Sequence, residues 1–156
     1  MGYVFQRPER QMFRPTVREE VAYGPQQLGM SRDEIRQAVD EALAATELTD
    51  LAEAYPPNLN RGEKQRVAIA SAIAMHTKYI VLDEPTSGQD SEDKDQLMAL
   101  LTDLNKKGMT ILIISHDMDI SPNTVSASWS SATIPRPSTG RRRNCSPSAM
   151  IYMTWA

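Results

Sequence analysis

Residues 80–90 read IVLDEPTSGQD, an apolar run that ends in two adjacent carboxylates, Asp83 and Glu84. The run is typical of a central strand in a parallel sheet that is covered on both faces. Residues 91–108 begin with acidic side chains and end in two lysines and a glycine, which are the charge order and stop signal of a helix. A second apolar run, TILIIS at 110–115, follows. Two strands joined by a helix form a βαβ unit, so this stretch predicts an α/β fold.

The sequence ahead of this unit predicts one short strand followed by mostly helical sequence. The strand, GYVFQ at 2–6, ends before Pro8, which cannot donate a ladder hydrogen bond. A helix that begins at Ser31 carries a capping box, because Glu34 stands three residues further on. The predicted helical segments are 16–24, which GPQQLG closes, 31–48 and 59–75.

Composition limits the class of protein. The chain has 156 residues, 40% of them hydrophobic, which is enough for one domain with a moderate core. A formal charge of −3 supplies no basic face, so no nucleic-acid partner is predicted. Cys145 is the only cysteine, which excludes an internal disulfide and favours a reducing, cytosolic compartment. No run of about 18 apolar residues and no signal-peptide pattern is present, so membrane contact is expected through partners only.

Polar side chains follow three predicted strands. Asp83 and Glu84 end one strand, His116 follows the next, and Gln6 ends the first. An aspartate at such a strand end can hold Mg²⁺, and an adjacent glutamate can polarise an attacking water. The alternatives are an acidic strand-to-loop turn for the carboxylates and a structural or solvated role for His116, the interpretation also given to His76. The three strand ends together favour a functional cluster.

The stretch LNRGEKQ at 59–65 opens a predicted helix. The exposed backbone N–H groups and positive dipole end of a helix favour an anion, and Gly62 permits close approach by a phosphate. The alternative is an ordinary capped helix with Asn60 as the N-cap.

The order of Gln6, LNRGEKQR, IVLDEPTSGQD and IISHD resembles that of the ATP-binding cassette (ABC) ATPases over nearly all of residues 1–120. YVFQRPERQMF, EEVAYGP and GEKQRVAIASAIAM are most similar to the ATPase subunits of energy-coupling-factor and cobalt-type importers. The resemblance implies a partial ABC-type P-loop NTPase fold, a RecA-like parallel sheet with an inserted helical subdomain at about 14–75. It also implies ATP as substrate and Mg²⁺ as cofactor.

The resemblance assigns a role to each matching residue. Gln6 would be the Q-loop glutamine, which senses Mg²⁺ and the γ-phosphate. Asp83 would be the Walker B metal ligand, Glu84 the general base and His116 the switch histidine. Ser87 to Asp90 match the D-loop, which crosses to a partner subunit.

Residues 59–63 match the signature motif, usually LSGGQ or LSGGE, which caps the ATP held by the opposite subunit. The matching nucleotide-binding positions are Asn60, Arg61, Gly62 and Glu63. Asn60 replaces the family's serine and can still donate a hydrogen bond, whereas Arg61 replaces a glycine where backbone and phosphate come close. Gln89 replaces the usual D-loop leucine. These departures put the efficiency of this half-site in question.

The phosphate loop of the family, GxxxxGK[ST], should lie upstream of the Q-loop strand, and the 156 residues do not contain it. The chain is therefore expected to lack the Walker A portion of the cassette. Without that loop's amides and lysine, nothing cradles the β- and γ-phosphates. The expectation is that this chain alone does not hydrolyse ATP appreciably, and that an unpaired strand edge lowers its stability.

Residues 121–156 contain no acidic residue and no lysine, and they keep no helical or strand period. Composition predicts a disordered, aberrant tail after a partial ATPase domain at 1–120. A frameshift is one explanation, because 122–131 can be encoded so that a neighbouring frame reads EYCQRVMVI, and 139–146 so that it reads GTPEELF. Both strings suit the family's continuation. The alternative is a basic, lipid-touching disordered tail.

The sequence is compatible with three functions. The first is the ATPase subunit of an importer for a metal ion or vitamin, in a truncated form. The second is a non-catalytic cassette that lends its signature motif and D-loop to an intact ATPase. The third, a chromosome-maintenance ATPase, needs long coiled coils for which the chain has no room. The resemblance implies a second ATPase subunit, as a homo- or heterodimer, a transmembrane coupling subunit, and a place at the cytoplasmic face of the bacterial plasma membrane.

Overall fold

A computed structural model describes residues 1–115, 127–130 and 150–154. The elements in chain order are β1 (Gly2–Val4), α1 (Val17–Gln27), α2 (Arg32–Ala45), α3 (Arg61–Ala74), β2 (Tyr79–Asp83), α4 (Ser91–Lys106), β3 (Thr110–Ser115), β4 (Ala127–Ser130) and β5 (Met150–Thr154). Short 3-10 turns lie at Pro8–Arg10, Thr49–Leu51 and Pro56–Asn58. The α/β fold with helical sequence between the first two strands is confirmed.

The strands form one parallel sheet in the order β1-β2-β3-β5-β4. Val4 pairs with Leu82, and Leu82 pairs with Ile113, so β1, β2 and β3 are in register over their last residues. Because parallel strands end at one edge of a sheet, the residues that follow β1 and β2 emerge on the edge where β3 also ends. This edge is where the sequence predicts the site.

Two segments of the tail differ from the predicted lack of regular structure. β5 pairs with β3, and β4 pairs with β5. The run Met150–Thr154, MIYMT, is rich in the apolar, β-branched and aromatic residues that suit strands, and it pairs along the open edge of β3. A composition average over the whole tail hides so short a run. The rest of 121–156 lies outside the described residues, and the frameshift hypothesis stays a prediction.

The start of α2 confirms the predicted capping box. The Ser31 hydroxyl accepts the Glu34 N–H at 3.3 Å, and the Glu34 carboxylate accepts the Ser31 N–H at 2.8 Å. This carboxylate has a pKa below its ordinary value, first because of the hydrogen bonds to Ser31. The cap thus fixes where α2 begins.

Helix α1 runs further than its sequence predicts. The glycine and proline at 24 and 25 predict an end, yet the helix continues through Pro25 to Gln27. Gly24 lets α1 approach Met75 at the end of α3. A Cβ on Gly24 would lie only 2.6 Å from the Met75 sulfur. Packing against α3 therefore overrides the local stop signal.

Helix α3 belongs to two hydrophobic cores. Ile69 and Ala72 pack on the sheet, whereas Val67, Ala70 and Ala74 pack with α1 and α2. This double burial explains why the back half of the helix is small or apolar nearly all round. Helices α1 to α3 correspond to the predicted helical subdomain, whose bounds of about 14–75 stay a prediction.

Strands β1, β2 and β3 are buried on one face. Val4, Ile80, Leu82, Ile111 and Ile113 have no solvent exposure, and they form one cluster with residues of α3 and α4. The alternate residues of β1, β2 and β3 point the other way, and none of them is fully buried. Tyr3 and Tyr79 on that side are 41% and 55% exposed. The predicted burial of β2 on both faces therefore holds for one face only.

Within the residues described, no helix has the length and apolar character needed to cross a bilayer.

Candidate functional site

Gln6 and Asp83 lie together at the carboxyl edge of the sheet. Both line an open cleft of about 640 Å³, whose other walls are Phe5, Arg7, Arg10 and Gln11. Gln6 follows β1 and Asp83 is the last residue of β2, so the parallel register brings the two side chains to one place. The structure thus places in one cleft the two residues, Gln6 and Asp83, that the resemblance assigns to Mg²⁺ and the γ-phosphate.

Tyr3 is a site residue that the sequence reasoning missed. Its hydroxyl donates to Asp83 Oδ2 at 3.3 Å. Partial desolvation raises the pKa of the Tyr3 hydroxyl, and the charge and hydrogen bond of Asp83 add to the shift. Tyr3 pairs with Val81, two residues before Asp83, so alternation along the strand puts Tyr3 and Asp83 on one face. That register is the signal that could have revealed it.

Glu84 lies beside the end of β3. Its backbone N–H donates to the Ile114 carbonyl at 2.8 Å, and its carboxylate accepts the Ser115 hydroxyl at 3.4 Å. The backbone of Glu84 is left-handed, with φ of 47°. A non-glycine residue in this region is strained, and such strain is concentrated at functional sites.

His116 follows Ser115 directly, but it lies outside the described residues. Its predicted place beside Glu84 therefore stays a prediction. His76 is described, and it is an exposed residue with a left-handed backbone two residues after α3 ends.

The start of α3 is closed by a second capping box. The Asn60 side chain accepts the Glu63 N–H at 2.8 Å, and the Glu63 carboxylate accepts the Asn60 N–H at 2.8 Å. The interpretation of Asn60 as an N-cap is confirmed. A nucleotide contact by Asn60, Arg61, Gly62 or Glu63 stays a prediction.

Residues 87–90 form the turn between β2 and α4. Gly88 has a φ of 70°, and Asp90 caps α4 by accepting the Asp93 N–H at 2.9 Å. The Ser87 N–H donates to the Glu84 carbonyl at 3.2 Å, which ties the turn to the carboxylate pair. Asp90 therefore has a structural role whatever else it does.

The predicted signature-motif residues lie away from the cleft that holds Gln6 and Asp83. None of Asn60 to Glu63 lines the cleft of Gln6 and Asp83. Gly62 instead lines a separate small cavity with Gln89 and Asp93. The chain therefore has two separate candidate surfaces. One is the edge of the sheet with Asp83, and the other is the start of α3 beside the turn at 87–90.

The sequence profile of the ABC transporter family matches residues 1–87. That is more than half of the 156 residues, and the chain belongs to the ABC transporter family. The predicted resemblance is confirmed.

Two relatives indicate which branch of this family the chain is similar to. The chain is 49% identical over 122 residues to the energy-coupling factor transporter ATP-binding protein EcfA of Methanocaldococcus jannaschii, covering 78% of this chain and 44% of that protein. It is 48% identical, with the same coverage, to the protein of that name from Methanosphaera stadtmanae. The chain therefore spans less than half the length of these relatives.

Solved structures confirm the fold class. The cbiO1 protein of Clostridium perfringens, part of the transporter complex cbiONQ, matches with a TM-score of 0.75 and 40% identity over 79% of this chain and 49% of its own. The dimeric cassette MJ0796, in a post-hydrolysis state bound to ADP and phosphate, matches with a TM-score of 0.63 and 35% identity over 76% of this chain and 53% of its own.

Proposed function

We propose that the chain is part of the ATP-hydrolysing subunit of an ABC importer of the energy-coupling-factor type. The observation that carries the proposal is the edge of the sheet, where Gln6 and Asp83 share one cleft and Glu84 stands next to them. The identity of nearly half with two proteins named EcfA supports the importer type.

The residues at this edge fit Mg²⁺ together with a polyphosphate. Mg²⁺ is usually held by one or two carboxylates plus substrate phosphates. The described residues contain no cluster of three or more acidic, histidine or cysteine side chains for a metal, but Asp83 and the Gln6 amide supply two oxygen donors. Asp83 and Gln6 would hold the ion, and the ion would neutralise charge on the phosphates.

Glu84 is proposed as the general base. Its carboxylate is held by Ser115, and its strained backbone fixes the carboxyl group relative to Asp83. A carboxylate so placed can orient a water and take its proton during attack on the γ-phosphate. His116, one residue beyond Ser115, is proposed to contact the γ-phosphate.

The second group of residues is proposed to act on another subunit. Asn60 to Glu63 and Ser87 to Asp90 do not line the cleft of Asp83, which suits a role on ATP held by a second ABC ATPase. The pair would be a homo- or heterodimer bound to a transmembrane coupling subunit at the cytoplasmic face of the bacterial plasma membrane. A metal ion such as cobalt or nickel, or a vitamin, is proposed as the cargo.

The chain by itself is proposed to be inactive, since its 156 residues carry no phosphate loop. Purified chain should release no more phosphate from Mg²⁺–ATP than its Glu84→Gln variant. Turnover that Glu84→Gln abolishes would show that the chain alone is an ATPase.

A chimera tests the assigned roles. The phosphate-loop half of a related cassette, joined ahead of Met1, should give an Mg²⁺-dependent ATPase. We expect Glu84→Gln or Asp83→Asn to lower its kcat by about 10²-fold or more. Val81→Ala, on the same strand and face, is the matched control. If the Glu84→Gln chimera hydrolysed ATP as fast as the unsubstituted chimera, the proposed base would be wrong.

A second function is a cassette that lends its signature motif to an intact ATPase. The capped start of α3 and the formed turn at 87–90 favour it. The test mixes the chain with an energy-coupling-factor ATPase whose own signature motif is disabled. Rescue of ATP hydrolysis that Gly62→Trp removes would support this function, and absence of rescue would reject it.

A further inference from the structure

The turn at 87–90 and the start of α3 touch through Arg61 and Gly88. A Cβ built on Gly88 would lie 2.6 Å from Arg61 Nη1 and 3.2 Å from Arg61 Cζ. The guanidinium group therefore lies directly over the Cα of Gly88, in the space where any other residue has its side chain. Gly88 also has a φ of 70°, which favours glycine for a second reason.

The contact is a packing contact. Arg61 is exposed, and among the described residues it forms no hydrogen bond or ion pair that would hold it elsewhere. The distances from the Cβ position built on Gly88 rise from 2.6 Å at Nη1 to 3.7 Å at Nη2, so the guanidinium group meets the glycine through the amino group of Nη1.

Neighbouring contacts continue the same interface. A Cβ on Gly62 would lie 3.1 Å from the Asp93 carboxyl carbon, and Gly62, Asp93 and Gln89 line one small cavity. One turn further along α3, Arg66 Nη1 donates to Gln96 Oε1 on α4 at 3.3 Å. The start of α3 therefore meets the turn at 87–90 and the first part of α4 over a continuous strip.

We propose that Arg61 is a positioning residue that clamps the turn at 87–90 to the start of α3. Residues 59–63 and 87–90 then move as one unit. Two of the three departures from the usual motifs, Arg61 and Gln89, lie on this strip. If the proposed function holds, the unit presents the signature motif and the D-loop to the partner's nucleotide in a fixed relative position.

Amide hydrogen exchange of the whole chain tests the clamp without nucleotide. Arg61→Gly should speed exchange of the Ser87 and Gln89 amides, whose N–H groups donate within the turn, by roughly several-fold. Arg32→Gly is the matched control, because Arg32 is also exposed and also follows the cap of a capping-box helix. The control should leave the turn unchanged. Equal exchange at Ser87 and Gln89 in the wild type and Arg61→Gly would overturn the proposal.

A second variant separates the clamp from a general loss of stability. Gly88→Ala displaces the guanidinium and should speed the same amides. Because each substitution breaks the same contact, adding Arg61→Gly to Gly88→Ala should change their exchange no further. Multiplicative effects would show that Arg61 acts elsewhere and overturn the proposal. Neither readout requires ATP, so failure of the clamp and failure of the proposed ATPase are distinguishable.

Discussion

Glu84 combines a strained backbone with an anchored side chain. A left-handed backbone costs an L-residue about 1–2 kcal/mol, and here the N–H bond to Ile114 and the Ser115 contact maintain it. Glycine would remove the strain, so the presence of glutamate means that its carboxylate contributes something a glycine cannot. Glu47 and His76 share this backbone conformation, so it is the place of Glu84, next to Asp83 at the carboxyl edge of the sheet, that supports a chemical role.

The strain at Glu84 can be measured by comparing two variants that both lack the carboxylate. We expect Glu84→Gly to be more stable to urea than Glu84→Ala by about 1 kcal/mol, because only glycine relieves the left-handed backbone. Glu41, exposed within α2, is the control. There the order should reverse by about 0.5–1 kcal/mol. Equal stability of the two Glu84 variants would show that this backbone is unstrained.

Glu34 should make the stability of α2 depend on pH. Its folded pKa lies below the ordinary value of 4.5, so the charged form stabilises the folded state. The contribution is complete above the unfolded pKa and is lost as pH falls through the lower folded pKa. Glu34→Gln keeps a side chain that can reach Ser31 but removes the charge. The gap in unfolding free energy between wild type and Glu34→Gln should therefore be present at pH 7 and close in acid, and a pH-independent gap would contradict this.

At the scale of the elements, Glu20 of α1 fixes the connection that leads away from Gln6. Its buried carboxylate accepts the backbone N–H groups of Phe13 and Arg14, both at 2.9 Å. The Arg14 guanidinium in turn lies 4.7 Å from the centre of the Tyr23 ring. One carboxylate thus orders the segment between the first strand and the first helix.

Removal of the Glu20 carboxylate should loosen this segment. Glu20→Ala leaves two partly buried donors without their acceptor, and we expect a loss of about 2 kcal/mol in urea unfolding. Exchange of the Phe13 and Arg14 amides should rise by more than global destabilisation explains. Glu19→Ala, one residue earlier and exposed, is the control. Unchanged exchange at both amides would mean that other contacts hold the segment.

Sequence periodicity predicted the elements whose burial is regular. β2, β3, α2 and α4 follow from apolar runs, caps and charge order. The end of α1 was not predictable, because its continuation past Pro25 depends on packing against Met75. The strand β5 was missed for a similar reason, since a five-residue run pairs only because an edge of β3 is open to it.

The candidate site was likewise predictable only in part. Gln6 and Asp83 meet because parallel strands end at one edge, a rule that needs no coordinates. The bond from Tyr3 depends on the register of β1 against β2, and the contact of Arg61 with Gly88 depends on how α3 packs beside α4. Those two facts belong to tertiary structure, which residue types and spacing do not specify.

At the scale of the whole molecule, β1, β2 and β3 have one buried face and one partly exposed face. Parallel sheets are usually covered on both faces. Here α3 and α4 pack on the side of Ile80 and Leu82, while Tyr3, Tyr79 and Val81 on the other side keep contact with solvent. An apolar sheet face that is open to water should bind hydrophobic dyes and promote self-association.

Neighbouring residues of β2 should therefore respond very differently to substitution. Ile80→Ala leaves a cavity in the core and should cost about 2–5 kcal/mol in urea unfolding, whereas Val81→Ala should cost about 1 kcal/mol or less. A Tyr79→Thr/Val81→Thr variant keeps β-branched residues on the strand, so it should remain folded while binding less 8-anilinonaphthalene-1-sulfonate. The dye's fluorescence is compared between the wild type and this variant at equal fractions of folded protein. If Val81→Ala were as costly as Ile80→Ala and dye binding did not change, the outer face would be covered in solution, and the sheet would not be one-sided.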